Sequence, residues 1–282
     1  MPTIDLLHGT VHYRVAGPEN ATTPPVVFVH GFLVNATLWT DTADALAVAG
    51  VRSYAADWPL GSHAIALGAA ADQSPRGIAR QIIAFMEALG LGDVTLVGND
   101  TGGAICQLLL DIDASRIGRI VLTNCDAFEN FPPPPFGLLF KAFRIPGLVR
   151  ALMAPMGAPA VRHSPAGFGL LVNKPLDPDQ TRAWVQPCRT DPAIRQDVAR
   201  FAHAVDPQDL AGASNRLTSF TGPALLVWGT ADRFFKLDFA HRLRNSLADA
   251  RLVEIEGGRT FIPHDEPARL ANEITAFQPA PN

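Results

Sequence analysis

The sequence predicts an α/β protein: a mostly parallel sheet with helices on both faces and an inserted helical cap. Three observations predict it. Short β-branched apolar runs alternate with helix-period patterns in the first part of the chain, the alternation stops between about residues 127 and 215, and it then resumes. Parallel strands need crossover helices, which cover both faces of the sheet, so a strand-helix alternation leads to that architecture. The core is accordingly expected in two pieces, 1–126 and 216–282, around a cap spanning 127–215.

The elements follow in order. An opening hairpin is expected from Leu6 to Leu7 and from Val11 to Val15. "PPVVFVHG" is a buried strand, and "LWTDTADALAVAG" a helix with Trp39, Leu46 and Ala47 on one face, stopping at Gly50. "VRSYAADW" is the next strand. "SPRGIARQIIAFMEALG" has Ser74 as cap, Pro75 in its first turn, and Ile78, Ile82, Phe85 and Leu89 at helical spacing. "DVTLVG" and "IGRIVLTNC" read as strands flanking the helix "TGGAICQLLLDID". In the cap, proline becomes frequent ("FPPPPF") and the apolar patterns are helical. Its best helix opens at Asp191 and Pro192, with Ile194, Val198, Ala202 and Val205 on one face. "PALLVWG" is then a strand, 237–248 a helix, "ARLVEIEG" a strand, and 267–277 a closing helix through Leu270, Ile274 and Phe277.

With 282 residues, 48% of them hydrophobic and 18% charged, the chain can bury a large core. A net charge of −4 without any run of Lys or Arg offers nucleic acid and membrane surfaces no basic face. A small, largely apolar molecule is the expected partner, with the protein a monomer or homodimer. The amino-terminal segment lacks the apolar stretch of a signal peptide, and no segment approaches the roughly 20 apolar residues of a membrane span, so a cytoplasmic location is expected. Cys106, Cys125 and Cys188 lack metal-ligand spacing and suit ordinary packing in a reducing compartment.

The stretch "LVGNDTGG" (96–103) decides the function. Asp100 lies where a strand meets a helix, and such an aspartate is either a nucleophile on a sharp elbow or the cap of an ordinary helix. Gly98, Gly102 and Gly103 supply the small side chains that a tight strand-turn-helix needs, which favours the elbow.

The chain resembles the α/β-hydrolase superfamily, and within it the branch of epoxide hydrolases and haloalkane dehalogenases. The resemblance rests on "VVFVHGFLVNATLW", "DWPLGSH", "LVGNDTGG", "LLVWGTADRFF" and "GGRTFIPHDEP" and covers nearly the whole chain. It implies an α/β-hydrolase fold with Asp100 as nucleophile and Asp232, in "WGTAD", as the acid that orients a histidine. It also implies backbone amides of Phe32 and Thr101 as the oxyanion hole, and no metal or organic cofactor. Asp232 in "TADR" also fits a plain turn. A carboxylate nucleophile suits attack at saturated carbon. The product is an ester that water can open, whereas a serine would leave an inert ether. Epoxides and alkyl halides therefore rank above esters and peptides.

The resemblance breaks at the base. The superfamily places its histidine before an aromatic residue, seven positions ahead of a proline; here that position is Thr260, followed by Phe261. A threonine hydroxyl cannot take a proton from water near neutrality as imidazole does, so Thr260 can only position water or substrate. His264, four residues on, is either a displaced base completing the triad or a histidine with no role. His30 reads as structural, and His63, His163, His203 and His241 receive no role. Without a histidine between them, Asp100 and Asp232 become like charges, with Arg259 or Arg233 as the nearest neutralising candidates in sequence.

The side chains that usually hold a halide or protonate an epoxide oxygen are also missing. Thr101 follows the nucleophile where dehalogenases carry Trp, and the two tyrosines, Tyr13 and Tyr54, fall in core strands. Trp184 in the cap is the remaining N–H donor expected to line a pocket, or it simply packs. The expected function is a hydrolase opening an epoxide or similar electrophile through an ester on Asp100. The alternatives are a haloalkane dehalogenase and a non-hydrolytic protein of the same fold, either a ligand binder or a lyase or isomerase on a biosynthetic intermediate.

Overall fold

The computed structural model describes residues 1–6 and 9–279. Eight strands among them form one sheet: β1 (Thr3–Leu6), β2 (Gly9–Ala16), β3 (Val26–Val29), β4 (Ser53–Ala56), β5 (Val94–Asp100), β6 (Ile117–Cys125), β7 (Ala224–Gly229) and β8 (Ala250–Ile255). Their spatial order is β1-β2-β4-β3-β5-β6-β7-β8. The pairings β1–β2 and β2–β4 are antiparallel, and the remaining five are parallel. The hairpin expected at the start is β1–β2; Leu7 lies outside the described residues.

The central strands are continuous apolar runs because both faces are covered. All four residues of β3 are fully buried, as are Leu96 and Val97 of β5 and Ile120, Val121 and Leu122 of β6. The first core helices are α1 (Thr40–Val48), α2 (Pro75–Ala88) and α3 (Thr101–Ile112). In α2, the Ser74 hydroxyl accepts from the Gly77 amide at 2.9 Å, and Ile78, Ile82 and Phe85 form a fully buried stripe. The segment before α1 differs from the expected single helix. Ala36–Trp39 is a 3₁₀ turn started by Asn35, whose Oδ1 accepts from the Thr37 amide.

Between β6 and β7 the chain is helical, as its proline-rich pattern predicts. The helices are α4 (Gly137–Phe143), α5 (Pro146–Met153), α6 (Pro159–Arg162), α7 (Pro178–Thr190), α8 (Pro192–Ala204) and α9 (Pro207–Asn215). Proline at a helix start loses no hydrogen bond, since the first amides have no helical acceptor. Asp177, Asp191 and Asp206 precede three of these prolines and cap α7, α8 and α9 with their carboxylates.

Two sets of polar contacts fix this region on the core. His63, after β4, meets Asp197 of α8 at 3.0 Å, both buried. Arg76 of α2 bonds Asp209 of α9 and Asp111 of α3, and Arg216 bonds Asp111. The last of the expected cap helices, α9, therefore packs on α3 of the core. The chain closes with α10 (Leu237–Ser246), α11 (Ile262–Asp265) and α12 (Pro267–Phe277). No described helix is long and apolar enough to cross a membrane.

Candidate active site

The site is built where β5 turns into α3. Asp100 ends β5 with φ 56° and ψ −133°, a backbone conformation that L-residues rarely adopt and that costs about 1–3 kcal/mol. Small neighbours make the bend possible. A Cβ on Gly102 would lie 2.2 Å from the Val29 carbonyl oxygen, and one on Gly103 2.3 Å from Cys125 Cβ. The Asp100 side chain caps no amide further along the helix, so the ordinary-cap alternative falls away. The carboxylate turns instead toward the loop after β3. There the Phe32 amide donates to Asp100 Oδ2 at 3.2 Å, and the Thr101 amide also bonds the carboxylate. A Cβ on Gly31 would fall 2.0 Å from the same oxygen, so the loop can approach only as glycine.

Asp100 and Thr101 open onto a cavity of about 250 Å³ walled on its other side by residues of the helical stretch between β6 and β7. Phe32, Phe136, Phe140, Phe143 and Phe168 give it an aromatic wall, and its only polar lining side chains among the described residues are Asp100, Thr101 and Asp126. Burial is the main reason the Asp100 carboxyl is pushed up to about 7; the amides of Phe32 and Thr101 oppose it and the charge of Asp232 adds to it.

Asp232 sits behind this floor, outside the cavity lining. Asn124 and Thr260 donate to its Oδ2 at 2.8 and 2.9 Å, and the Phe234 and Phe235 amides to its Oδ1 at 2.8 and 3.0 Å. Burial raises its pKa while these four donors restrain the rise. Thr260 is therefore not a substrate contact. It is fully buried, its hydroxyl is committed to Asp232, and its carbonyl accepts from Asn99 at 2.7 Å.

His264 does not complete the arrangement. It lies in α11, whose Pro263 carbonyl accepts from Thr42 of α1, and its Nε2 is buried with no hydrogen-bond partner. It makes no hydrogen bond to Asp232 through that nitrogen, and Thr260 already occupies the Asp232 oxygen a histidine would need. Trp184 also differs from its expected role. Its N–H donates to Thr37 Oγ1 at 2.7 Å, and its ring packs edge-on behind Phe168, which itself faces the cavity.

Neither arginine neutralises the acids. Arg259 donates to the Val172 carbonyl, and Arg233 is exposed. His30 is structural as expected: its Nε2 accepts from the Trp58 amide at 2.8 Å, and burial lowers its pKa to about 4, leaving it neutral. His63 and His163 have partners that spacing did not reveal, Asp197 and Thr181.

Asp126 escaped the sequence reading. It stands one residue beyond β6, the strand beside β5, and the carboxyl ends of parallel strands are where such sheets bind ligands. That rule, applied to the residue after "IGRIVLTNC", points to it.

Comparison with known proteins agrees with this architecture. The family model described as alpha/beta hydrolase fold matches residues 24–267. Haloalkane dehalogenase 2 of Mycobacterium tuberculosis (strain ATCC 25618 / H37Rv) is 27% identical across 96% of this chain and 92% of its own. A 2-hydroxy-6-oxononadienedioate/2-hydroxy-6-oxononatrienedioate hydrolase of Dechloromonas aromatica (strain RCB) is 26% identical across 86% of this chain and 81% of its own. Among solved structures, an ancestral haloalkane dehalogenase superposes with a TM-score of 0.79 at 20% identity, covering 98% of both chains. The dehalogenase DbeA of Bradyrhizobium elkani does so with 0.78 at 18%, over 98% of this chain and 96% of its own. At these identities the structural likeness speaks for the fold.

Proposed function

The chain belongs to the α/β-hydrolase-fold family, and from that premise we propose that it is a hydrolase opening an epoxide, or a similar electrophilic small molecule, through an ester on Asp100. The observation that carries this reading is a carboxylate at the elbow, facing an aromatic cavity, with the Phe32 amide already on Oδ2. Oδ1 attacks the less hindered epoxide carbon and the carbon–oxygen bond breaks. Water then attacks the ester carbonyl carbon. The amides of Phe32 and Thr101 hold the negative oxygen of the tetrahedral intermediate, a contribution of about 3–4 kcal/mol per donor in related chemistry.

The cavity favours epoxides over halides. Among the described residues it offers no side-chain N–H to a departing halide, since their polar lining consists of two carboxyls and a hydroxyl. The dehalogenase reading rests on similarity to proteins of that name. The non-hydrolytic reading rests on Thr260, which stands at the base position with its hydroxyl on Asp232.

A single turnover of styrene oxide in heavy-oxygen water tests the proposal. Attack of water on the ester carbonyl places the heavy oxygen in the Asp100 carboxyl, leaving the first diol unlabelled, and Asp100→Ala abolishes turnover. Heavy oxygen appearing directly in the first diol, with Asp100 unlabelled, overturns it.

A further inference from the structure

Two functions are unfilled in the site: a proton donor for the opening oxygen and a base for the water. Among the described residues no tyrosine lines the cavity, and the base position holds Thr260. We propose that Asp126 fills both, protonating the epoxide oxygen as a carboxylic acid and then, as a carboxylate, taking the proton of the water that opens the ester. This rests on the reading of Asp100 as nucleophile.

The geometry starts with the strand register. Asp100 pairs with Cys125 in the parallel ladder of β5 and β6, so Asp126 leaves the sheet beside the nucleophile. Both side chains line the same cavity. Asp126 is 1% exposed, and its Oδ1 has no hydrogen-bond partner. The Thr101 hydroxyl engages its carboxyl. A buried carboxyl oxygen with no partner and access to a ligand cavity is free to meet a substrate atom.

The backbone around Asp126 is held by the helix that begins at the nucleophile. Gln107 of α3 donates to the Asp126 carbonyl at 2.8 Å and accepts from Ser214 at 2.7 Å, and Ser214 in turn accepts from the Phe128 amide at 2.9 Å. Asp100 and Asp126 thus share α3 as a common mount.

Among the described residues, no cation lines the cavity with them. Two carboxyls in an apolar, cation-free setting do not both ionise, and one keeps its proton. Burial and the charge of Asp100 raise Asp126; the Phe32 amide on Asp100 Oδ2 favours the carboxylate there, while Asp126 Oδ1 has no donor, so Asp126 is the one that keeps it.

Both steps then balance. Asp100 forms its bond to carbon as the carbon–oxygen bond of the epoxide breaks, and the released electron pair takes the Asp126 proton, giving a hydroxyalkyl ester and an Asp126 carboxylate. Water next adds to the ester carbonyl while its proton passes to Asp126. Collapse expels the alkoxide oxygen, which takes the remaining proton of that water from the new Asp100 carboxyl as the diol leaves. Asp100 is again a carboxylate and Asp126 again an acid.

Two probes separate this role from that of Asp100. Styrene oxide needs a proton on its leaving oxygen, whereas benzyl bromide loses bromide without one. In Asp126→Asn, opening of styrene oxide is expected to slow by about 10²–10⁴-fold. Benzyl bromide still esterifies Asp100 in that variant, and the ester, seen by peptide mass spectrometry, persists.

The unmodified chain supplies a second measurement should the variant fold poorly. Benzylation of Asp100 rises with pH through about 7 and then stays level, while styrene oxide opening rises there and falls again at higher pH. Styrene oxide opening within tenfold of wild type in Asp126→Asn, or a level high-pH limb for the epoxide, overturns the role of Asp126 and leaves Asp100 standing. Absence of any ester on Asp100 with either probe in the wild-type chain overturns the nucleophile and, with it, this proposal.

Discussion

At the scale of single residues, the site is a set of buried acids whose cost shows in stability. Asp100 is neutral in the folded chain up to about pH 7, whereas unfolded it ionises near 3.8. Between those values the unfolded chain binds fewer protons, so stability falls as pH rises, and above about 7 the loss is complete. Asp100→Asn removes the effect. It is expected to stabilise the protein increasingly from pH 4 to 7 and by a constant amount beyond, on the order of 2–4 kcal/mol. Thermal melts of both proteins at pH 5 and pH 8 check it; equal gains at the two values contradict it. Asp100 stood out in the sequence by the glycines around a strand-to-helix turn, whereas Asp232, Phe32 and Thr101 came from the resemblance to the α/β-hydrolase superfamily. The sequence reading missed Asp126, whose meaning depends on β6 lying beside β5, a relation between residues far apart in the chain. His264 and Trp184 misled for a related reason. Spacing says where a side chain is attached, while its direction depends on what it packs against: the Thr42 contact of α11 for the first, Thr37 and Phe168 for the second.

At the scale of elements, the elbow is the part least able to vary. Gly102 lies against the Val29 carbonyl, a backbone atom that cannot yield as a flexible side chain would. Gly102→Ala is expected to cost about 3 kcal/mol or more in urea denaturation, because the strand and helix must separate to admit a methyl group. Gly92→Ala, at a position with open space around it and an ordinary φ, is expected to change stability by less than about 0.5 kcal/mol. Strands and helices were legible wherever one local signal dominated. The Ser74 cap marks α2, the Val-rich run marks β3, and Asp191 with Pro192 marks α8. The 3₁₀ turn at Ala36–Trp39 was not, because its helical apolar spacing is shared with α1 and only the Asn35 bond sets it apart.

At the scale of the whole molecule, strands β1–β6 and β7–β8 lie on either side of a helical stretch of the chain, and the match of the family model to residues 24–267 spans both groups. The placement of α9 against α3 was not readable, since it rests on Arg76, Asp111, Asp209 and Arg216 meeting across long separations. The split has an energetic side. Ile120, Val121 and Leu122 of β6 are fully buried in the complete sheet, where the ladder on one side runs to β7, starting at Ile120 opposite Ala224. A fragment ending at residue 126 leaves that edge unpaired. It is expected to be insoluble when expressed alone and to be recovered in soluble form when 216–282 is supplied with the cap, a comparison made by fractionating lysates. Synthesis on the ribosome passes through the same state. About a hundred residues must be added after β6 before its neighbour emerges, a delay of order ten seconds at about 5–20 residues per second. Throughout that interval a bare strand edge depends on holdase chaperones rather than on its own sequence, so the yield of this protein in a cell follows elongation rate and chaperone supply.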